Sequence, residues 1–148
     1  MSCIRFNTPA QRAQMKAMAP VMLTAEQAAA LHPAPPVTDS KINRLRLLAV
    51  DANPKIRESA ASSYHTPEDV FEALAKDTDE GVRACVARNE SAPCDVLRSL
   101  ASDESERVRG FLALNFFVPE DAMELLAADR SPTVRGLVQW KAELAGAQ

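Results

Sequence analysis

The pair Ile56-Arg57 recurs as Val82-Arg83, Val108-Arg109 and Val134-Arg135, each 26 residues after the last. The same step relates Leu48-Ala49, Leu74-Ala75, Leu100-Ala101 and Leu126-Ala127, and also Asp51, Asp77, Asp103 and Asp129. Pro67, Pro93 and Pro119 form a further column, with Lys41 at the matching place in the first copy. Nothing is inserted or deleted across the four copies, so a tandem array constrains this chain more than any single motif does. The units run 41–66, 67–92, 93–118 and 119–144.

Each unit reads as two short helices. Proline suits a first helical position because it has no amide hydrogen to leave unpaired, and Asp69, Asp95 and Asp121 follow where a carboxylate meets the positive end of the helix dipole. Ser40 and Thr66 are the expected N-caps of the first helix in the first two units. Leu45, Phe71, Leu97 and Met123 lie three residues before the repeated leucine and share its face. A second capping column, Asn53, Asp79, Ser105 and Ser131, precedes Pro54, Glu80, Glu106 and Pro132 and starts the second helix. Its inward face is expected to carry Val82, Cys85 and Val86, then Val108, Phe111 and Leu112, then Val134, Leu137 and Val138. Asn89 and Asn115 stand where it should stop, in the left-handed conformation that asparagine tolerates. Isolated helices this short are marginal in water, so neighbouring units must stack. The expected fold is all-α, an α-solenoid.

Asp-x-x-x-x-Val-Arg after Leu-Ala, with an upstream helix-starting proline, resembles the HEAT-repeat pattern. The short unit and the run Leu-Ala-x-Asp…Val-Arg-x-x-Val-Ala-x-Asn at 74–89 resemble leucine-rich-repeat-variant proteins more closely still. The resemblance covers residues 41–144 and implies a right-handed superhelix of paired helices used for macromolecular interaction. Some leucine-rich-repeat-variant proteins hold an iron–sulfur cluster on an N-terminal cysteine group. Only Cys3 precedes the units here, so that cofactor is not carried over. Nor do any residues match the HEAT-like DNA glycosylases or bilin lyases.

Residues 1–40 fall outside the period. Thr8-Pro9 with Gln11, and Thr24 with Gln27, predict helices near 9–18 and 25–31, with Met15, Met18, Val21, Met22 and Leu23 as their apolar contribution. A solenoid leaves an apolar face open at each end, and this segment is a natural cover for the first unit. The linker His32-Pro33-Ala34-Pro35-Pro36 is semi-rigid and equally able to hold the segment away. The division is thus an N-terminal helical cap and Pro-rich linker over 1–40 and a solenoid over 41–148. Beyond Trp140 no further helix is expected, so the fourth unit caps itself or pairs with another molecule, which includes a homo-oligomer through this C-terminal unit.

The chain has 148 residues, 47% apolar and 25% charged, an ordinary globular composition. Net charge is −3, which disfavours a nucleic-acid partner held by phosphate contacts. The locally basic stretch 41–57, with Lys41, Arg44, Arg46, Lys55 and Arg57 against Asp51, keeps a nucleic-acid-associated protein as the alternative. No run approaches the ~18 apolar residues of a membrane span. The N-terminus lacks the pattern of an export signal, and three cysteines without a CxxC pair suit the reducing cytoplasm.

The Asp51, Asp77, Asp103, Asp129 and Arg57, Arg83, Arg109, Arg135 columns read as a structural ladder, each carboxylate accepting from the start of the second helix or from an arginine of its own or an adjacent unit. Cys85 reads as a small core residue, and Cys94, following Pro93 at a helix start, as the more reactive thiol. His32 and His65 have no metal-ligand spacing, and no catalytic or phosphate-binding motif occurs. No enzyme activity, metal or cofactor is therefore expected. The departures from regularity lie on the second helices, whose outward columns are read as Glu58/Ala84/Gly110/Gly136, Ala61/Ala87/Ala113/Gln139, Ser62/Arg88/Leu114/Trp140 and His65/Ser91/Phe117/Glu143. Small residues there would admit a partner close to the backbone. Arg88, Gly110, Leu114, Phe117, Gly136 and Trp140 are the candidate partner-binding residues of a non-enzymatic protein-interaction module, an adaptor, scaffold or inhibitor-type binder. The competing assignment turns Phe116 or Phe117 into the core and uses Trp140 to close the C-terminal end.

Overall fold

A computed structural model describes residues 37–146. The helices expected near 9–18 and 25–31, their apolar residues, Cys3, the proline-rich linker and the proposed cover of the first unit lie outside the described residues. Eight α-helices and no strand occur among the described residues, two helices to each 26-residue unit. They are α1 (Asp39–Ala49) and α2 (Pro54–Ala61), α3 (Glu68–Leu74) and α4 (Glu80–Arg88), α5 (Cys94–Leu100) and α6 (Glu106–Leu114), α7 (Glu120–Ala127) and α8 (Pro132–Gly146).

The second helices begin where the capping column places them. Asn53 Oδ1 accepts from the Lys55 amide at 3.0 Å, Asp79 Oδ1 from Gly81 and Val82 at 2.9 and 3.1 Å, and Ser131 Oγ from Thr133 at 3.1 Å. The first helices differ in detail from the sequence reading. Pro67, Pro93 and Pro119 are extended residues one step outside the helix, and their carbonyls accept the first helical bonds from Phe71, Leu97 and Met123, each at 3.0 Å. A fixed φ near −60° serves the extended flank as well as the first turn, so proline alone does not decide between them. Neither expected cap of a first helix acts as one. α1 starts at Asp39, two residues before the unit boundary, and is capped by Thr38. Ser40 lies inside it. The Thr66 hydroxyl instead donates to the Ala60 carbonyl at 2.6 Å, closing the end of α2.

Asn89 and Asn115 do end α4 and α6, but with extended backbones (φ −76°, ψ 121° and φ −70°, ψ 131°), and no residue described has a positive φ. Their side chains, not a left-handed turn, explain the residue type, as the next subsection describes.

Along the chain α2 packs on α4, α4 on α6 and α6 on α8, while α1 packs on α3 and α5 on α7. The core between these rows is apolar, with Phe71 its one fully buried aromatic among the described residues, and repeats by column. Leu74, Leu100 and Leu126 are buried, as are Val82, Val108 and Val134, and Ala60, Val86 and Leu112. The assignment of faces on the second helices needs correction. Ala61, Ala87 and Ala113, read as an outward column, are fully buried, and so is Ala84. Cys85, Phe111 and Leu137, read as inward, are only half-buried. Helices lying side by side bring each alanine column against the next helix, so small residues admit a neighbouring helix of the same chain rather than a partner.

Two columns turn polar at the ends of the described stack. Gln139 is exposed where Ala61, Ala87 and Ala113 are buried, and Arg44 is exposed where Val70, Val96 and Ala122 are buried.

Candidate functional site

The aspartate and arginine columns form a ladder with a fixed offset. Arg57 Nε and Nη2 donate to the two carboxylate oxygens of Asp77 at 2.6 and 2.8 Å, twenty residues on. Arg83 grips Asp103 at 2.7 and 3.1 Å, and Arg109 grips Asp129 at 2.6 and 3.1 Å. In each case Nη1 donates back to the carbonyl of its own unit's aspartate, Asp51, Asp77 or Asp103, at 2.7–2.8 Å. The carboxylate meanwhile accepts from the amide two residues on, as Asp79, Ser105 and Ser131 donate to Asp77, Asp103 and Asp129. One arginine thus ties the loop of its own unit to that of the next. The guanidinium hydrogen bonds hold the Asp77 and Asp129 carboxyls below the ordinary carboxylate range, outweighing the burial that opposes ionisation. Arg135 bonds only the Asp129 carbonyl, and Asp51 meets no arginine side chain among the described residues.

A second ladder was not read from the sequence. Asn89 Nδ2 donates to the carbonyls of Ala61 and Ser63 at 2.8 and 3.0 Å, while its Oδ1 accepts from the Ser91 amide. Asn115 repeats this with Ala87, Asn89 and Phe117. In the fourth unit Lys141 occupies the column, and its ammonium donates to the carbonyls of Ala113 and Asn115. Burial lowers its pKa. Asn89 and Asn115 were visible as a 26-residue pair. Their targets are carbonyls of the preceding helix end, which only packing reveals.

The candidate partner-binding residues are mostly exposed, but only two of them line a common cleft. Gly110 and Leu114 line an open cleft of about 410 Å³ between α6 and α8, walled by Phe111, Val134 and Leu137. Arg88 lies on the α4 side of Phe111, with its guanidinium carbon 5.9 Å from the ring centre. Trp140 is 52% and Phe117 58% exposed, and neither lines the cleft, nor does Gly136. Neither Phe116 nor Phe117 is a core residue. Phe116 lies under the Lys141 ammonium at 5.3 Å. Gly136 is exposed, with nothing within 4 Å of where a Cβ would stand, and a Cβ at Gly110 would meet only Leu137 at 3.5 Å. Neither glycine is therefore required by packing.

Sequence reasoning missed Phe111 and Arg107. Phe111 was assigned to the core, yet its column, Ser59, Cys85, Phe111 and Leu137, is nowhere fully buried in the second to fourth units. Arg107 Nη1 lies 3.6 Å from Glu80, and its guanidinium also stands 5.9 Å from the Phe111 ring.

Elsewhere the geometry offers little chemistry. No group of three or more His, Cys, Asp or Glu among the described residues could hold a metal ion. No buried side-chain nitrogen or oxygen among them lacks a partner. Cys94 is exposed at the start of α5. In the basic stretch, Arg46 pairs with Asp69, Lys55 with Glu58 and Arg57 with Asp77, while Lys41 and Arg44 are exposed and form no ion pair among the described residues. No helix among the described residues is long and apolar enough to cross a membrane. No protein-family model, curated protein or solved structure matches this chain.

Proposed function

We propose that this chain is a protein-interaction module, a short α-solenoid of HEAT-like or leucine-rich-repeat-variant type that binds another protein through the exposed side of its second helices. The observation that carries the reading is the apolar cleft between α6 and α8. Phe111, Leu114 and Leu137 leave apolar surface open to water there, and Trp140 stands half-exposed on the same helix as Leu137. An open apolar cleft beside polar residues is the usual form of a docking surface. Two glycines within α6 and α8 support it, since each costs a helix roughly 1 kcal/mol relative to alanine, and packing within this fold requires neither.

Leu114→Glu with Trp140→Ala tests the reading, by comparing the proteins that wild type and variant retain on affinity capture from the native host. A partner held by wild type and lost by an equally stable variant supports it. Equal retention by both places the binding surface elsewhere. For the nucleic-acid alternative, the basic stretch leaves Lys41 and Arg44 without ion pairs among the described residues. Binding that weakens steeply with salt would mark that function instead.

A further inference from the structure

Resting on that reading, we propose that the partner docks through a helical segment pairing a large apolar side chain with a carboxylate three or four residues away. The apolar side chain enters the α6–α8 cleft, and the carboxylate meets Arg88 and Arg107. These two arginines border a second depression of about 200 Å³, which adjoins the cleft and shares Phe111 as a wall. Both guanidiniums stand 5.9 Å from the Phe111 ring centre; Arg107 borders the cleft as well as the depression, whereas Arg88 borders the depression alone, with Phe111 between it and the cleft.

Of the two arginines, Arg88 is the one left open. Glu58 borders the same depression, but its Oε1 accepts from Lys55 Nζ at 2.7 Å. Arg107 Nη1 forms a long ion pair with Glu80 at 3.6 Å, whereas Arg88 has no carboxylate partner among the described residues. Arg57, Arg83 and Arg109, by contrast, each hold a carboxylate with two nitrogens. A planar, weakly hydrated guanidinium beside an aromatic ring takes a carboxylate readily. The 5.9 Å from the Arg88 guanidinium to the centre of a ring that walls the cleft matches the ~5–6 Å between neighbouring positions on a helix surface, which sets the three- or four-residue spacing. Glu106 lines the cleft at the start of α6, two turns from Leu114. It repels an acidic residue at that end, so the carboxylate must lie on the Arg88 side.

Short random peptides displayed on phage and selected against the immobilised full chain test this. The expected enriched sequences place Leu, Phe, Met or Trp three or four residues from Asp or Glu. A synthetic peptide of that type should lose about tenfold or more in affinity, by fluorescence anisotropy, against Leu114→Glu and against the exposed-site variant Arg88→Glu. Changing its acidic residue to lysine should restore binding to Arg88→Glu. Enriched peptides that need Leu114 but bind Arg88→Glu unchanged overturn the acidic partner and leave the interaction surface standing. No enrichment, or peptides indifferent to both variants, overturns the surface as well. Single-stranded DNA that binds through Arg88 in competition with the peptides assigns the cations to phosphate and overturns the inference.

Discussion

Arg109→Ala removes the most enclosed rung of the ladder, where the arginine and aspartate side chains are only 4% and 5% exposed. The guanidinium makes four hydrogen bonds, two to Asp129 and two to the carbonyls of Asp103 and Glu104. Without it Asp129 keeps one amide donor, from Ser131 at 2.7 Å, in a site that excludes most water. Removing one partner of such a buried pair costs about 3–5 kcal/mol, because the remaining charge is uncompensated. At roughly 3–4 °C per kcal/mol for a chain of this size, the melting temperature should fall by roughly 10–20 °C. Arg135→Ala is the matched control, since this exposed arginine loses one bond to a carbonyl and no carboxylate. Its shift should be a small fraction of the first. Arg109→Met with Asp129→Leu should destabilise less than Arg109→Ala, because no charge is left behind. Urea unfolding followed by circular dichroism gives all three. The reasoning fails if Arg109→Ala and Arg135→Ala unfold together, or if the apolar double variant is the least stable.

The ladder also fixes the acid limit. With the Asp77 and Asp129 carboxyls held below their unfolded value of 3.8, their contribution is whole above that pH and disappears as pH falls through the depressed folded value. Melting temperature should therefore drop steeply only below about pH 4, and Asp129→Asn should flatten that drop. Asn115→Ala strands the carbonyl of Ala87 in the core, while that of Asn89 keeps the Ala92 amide, and should cost about 1–3 kcal/mol in urea unfolding, whereas Lys141→Asn restores the residue type of the column and should be close to neutral. Gly136→Ala should stabilise α8 by up to about 1 kcal/mol, and a binding defect in that stabilised variant would mark the glycine as serving a partner. Sedimentation equilibrium of Trp140→Ala against wild type tests association through the C-terminal unit, and monomers in both would exclude it.

The helix content and the caps of the second helices were legible because they depend on local chemistry. A side-chain oxygen bonds an amide two or three residues on, and a 26-residue step keeps every such pair in phase. The first-helix starts were legible only approximately. Thr66 and Ser40 have the chemistry of caps, but Thr66 found a carbonyl at the end of α2, and Thr38 took the place expected of Ser40. The face of the second helix was legible to within one residue position, an error of about 100° around its axis, enough to exchange Phe111 for Ala113. Column composition carried part of the missing signal, since Ala61, Ala87 and Ala113 are uniform until Gln139 in the last unit, while Ser59, Cys85, Phe111 and Leu137 differ throughout.

The sequence by itself determined the period, the two-helix unit and the identity of the charged columns, because these rest on spacing along one chain. Tertiary structure decided which unit each arginine reaches and that Asn89, Asn115 and Lys141 tie neighbouring units together through backbone carbonyls. It also decided that Arg88 stands against Phe111 at the edge of a cleft. Those relations join residues about twenty or more positions apart, and their distances are set by how helices lie against one another, which no local preference encodes.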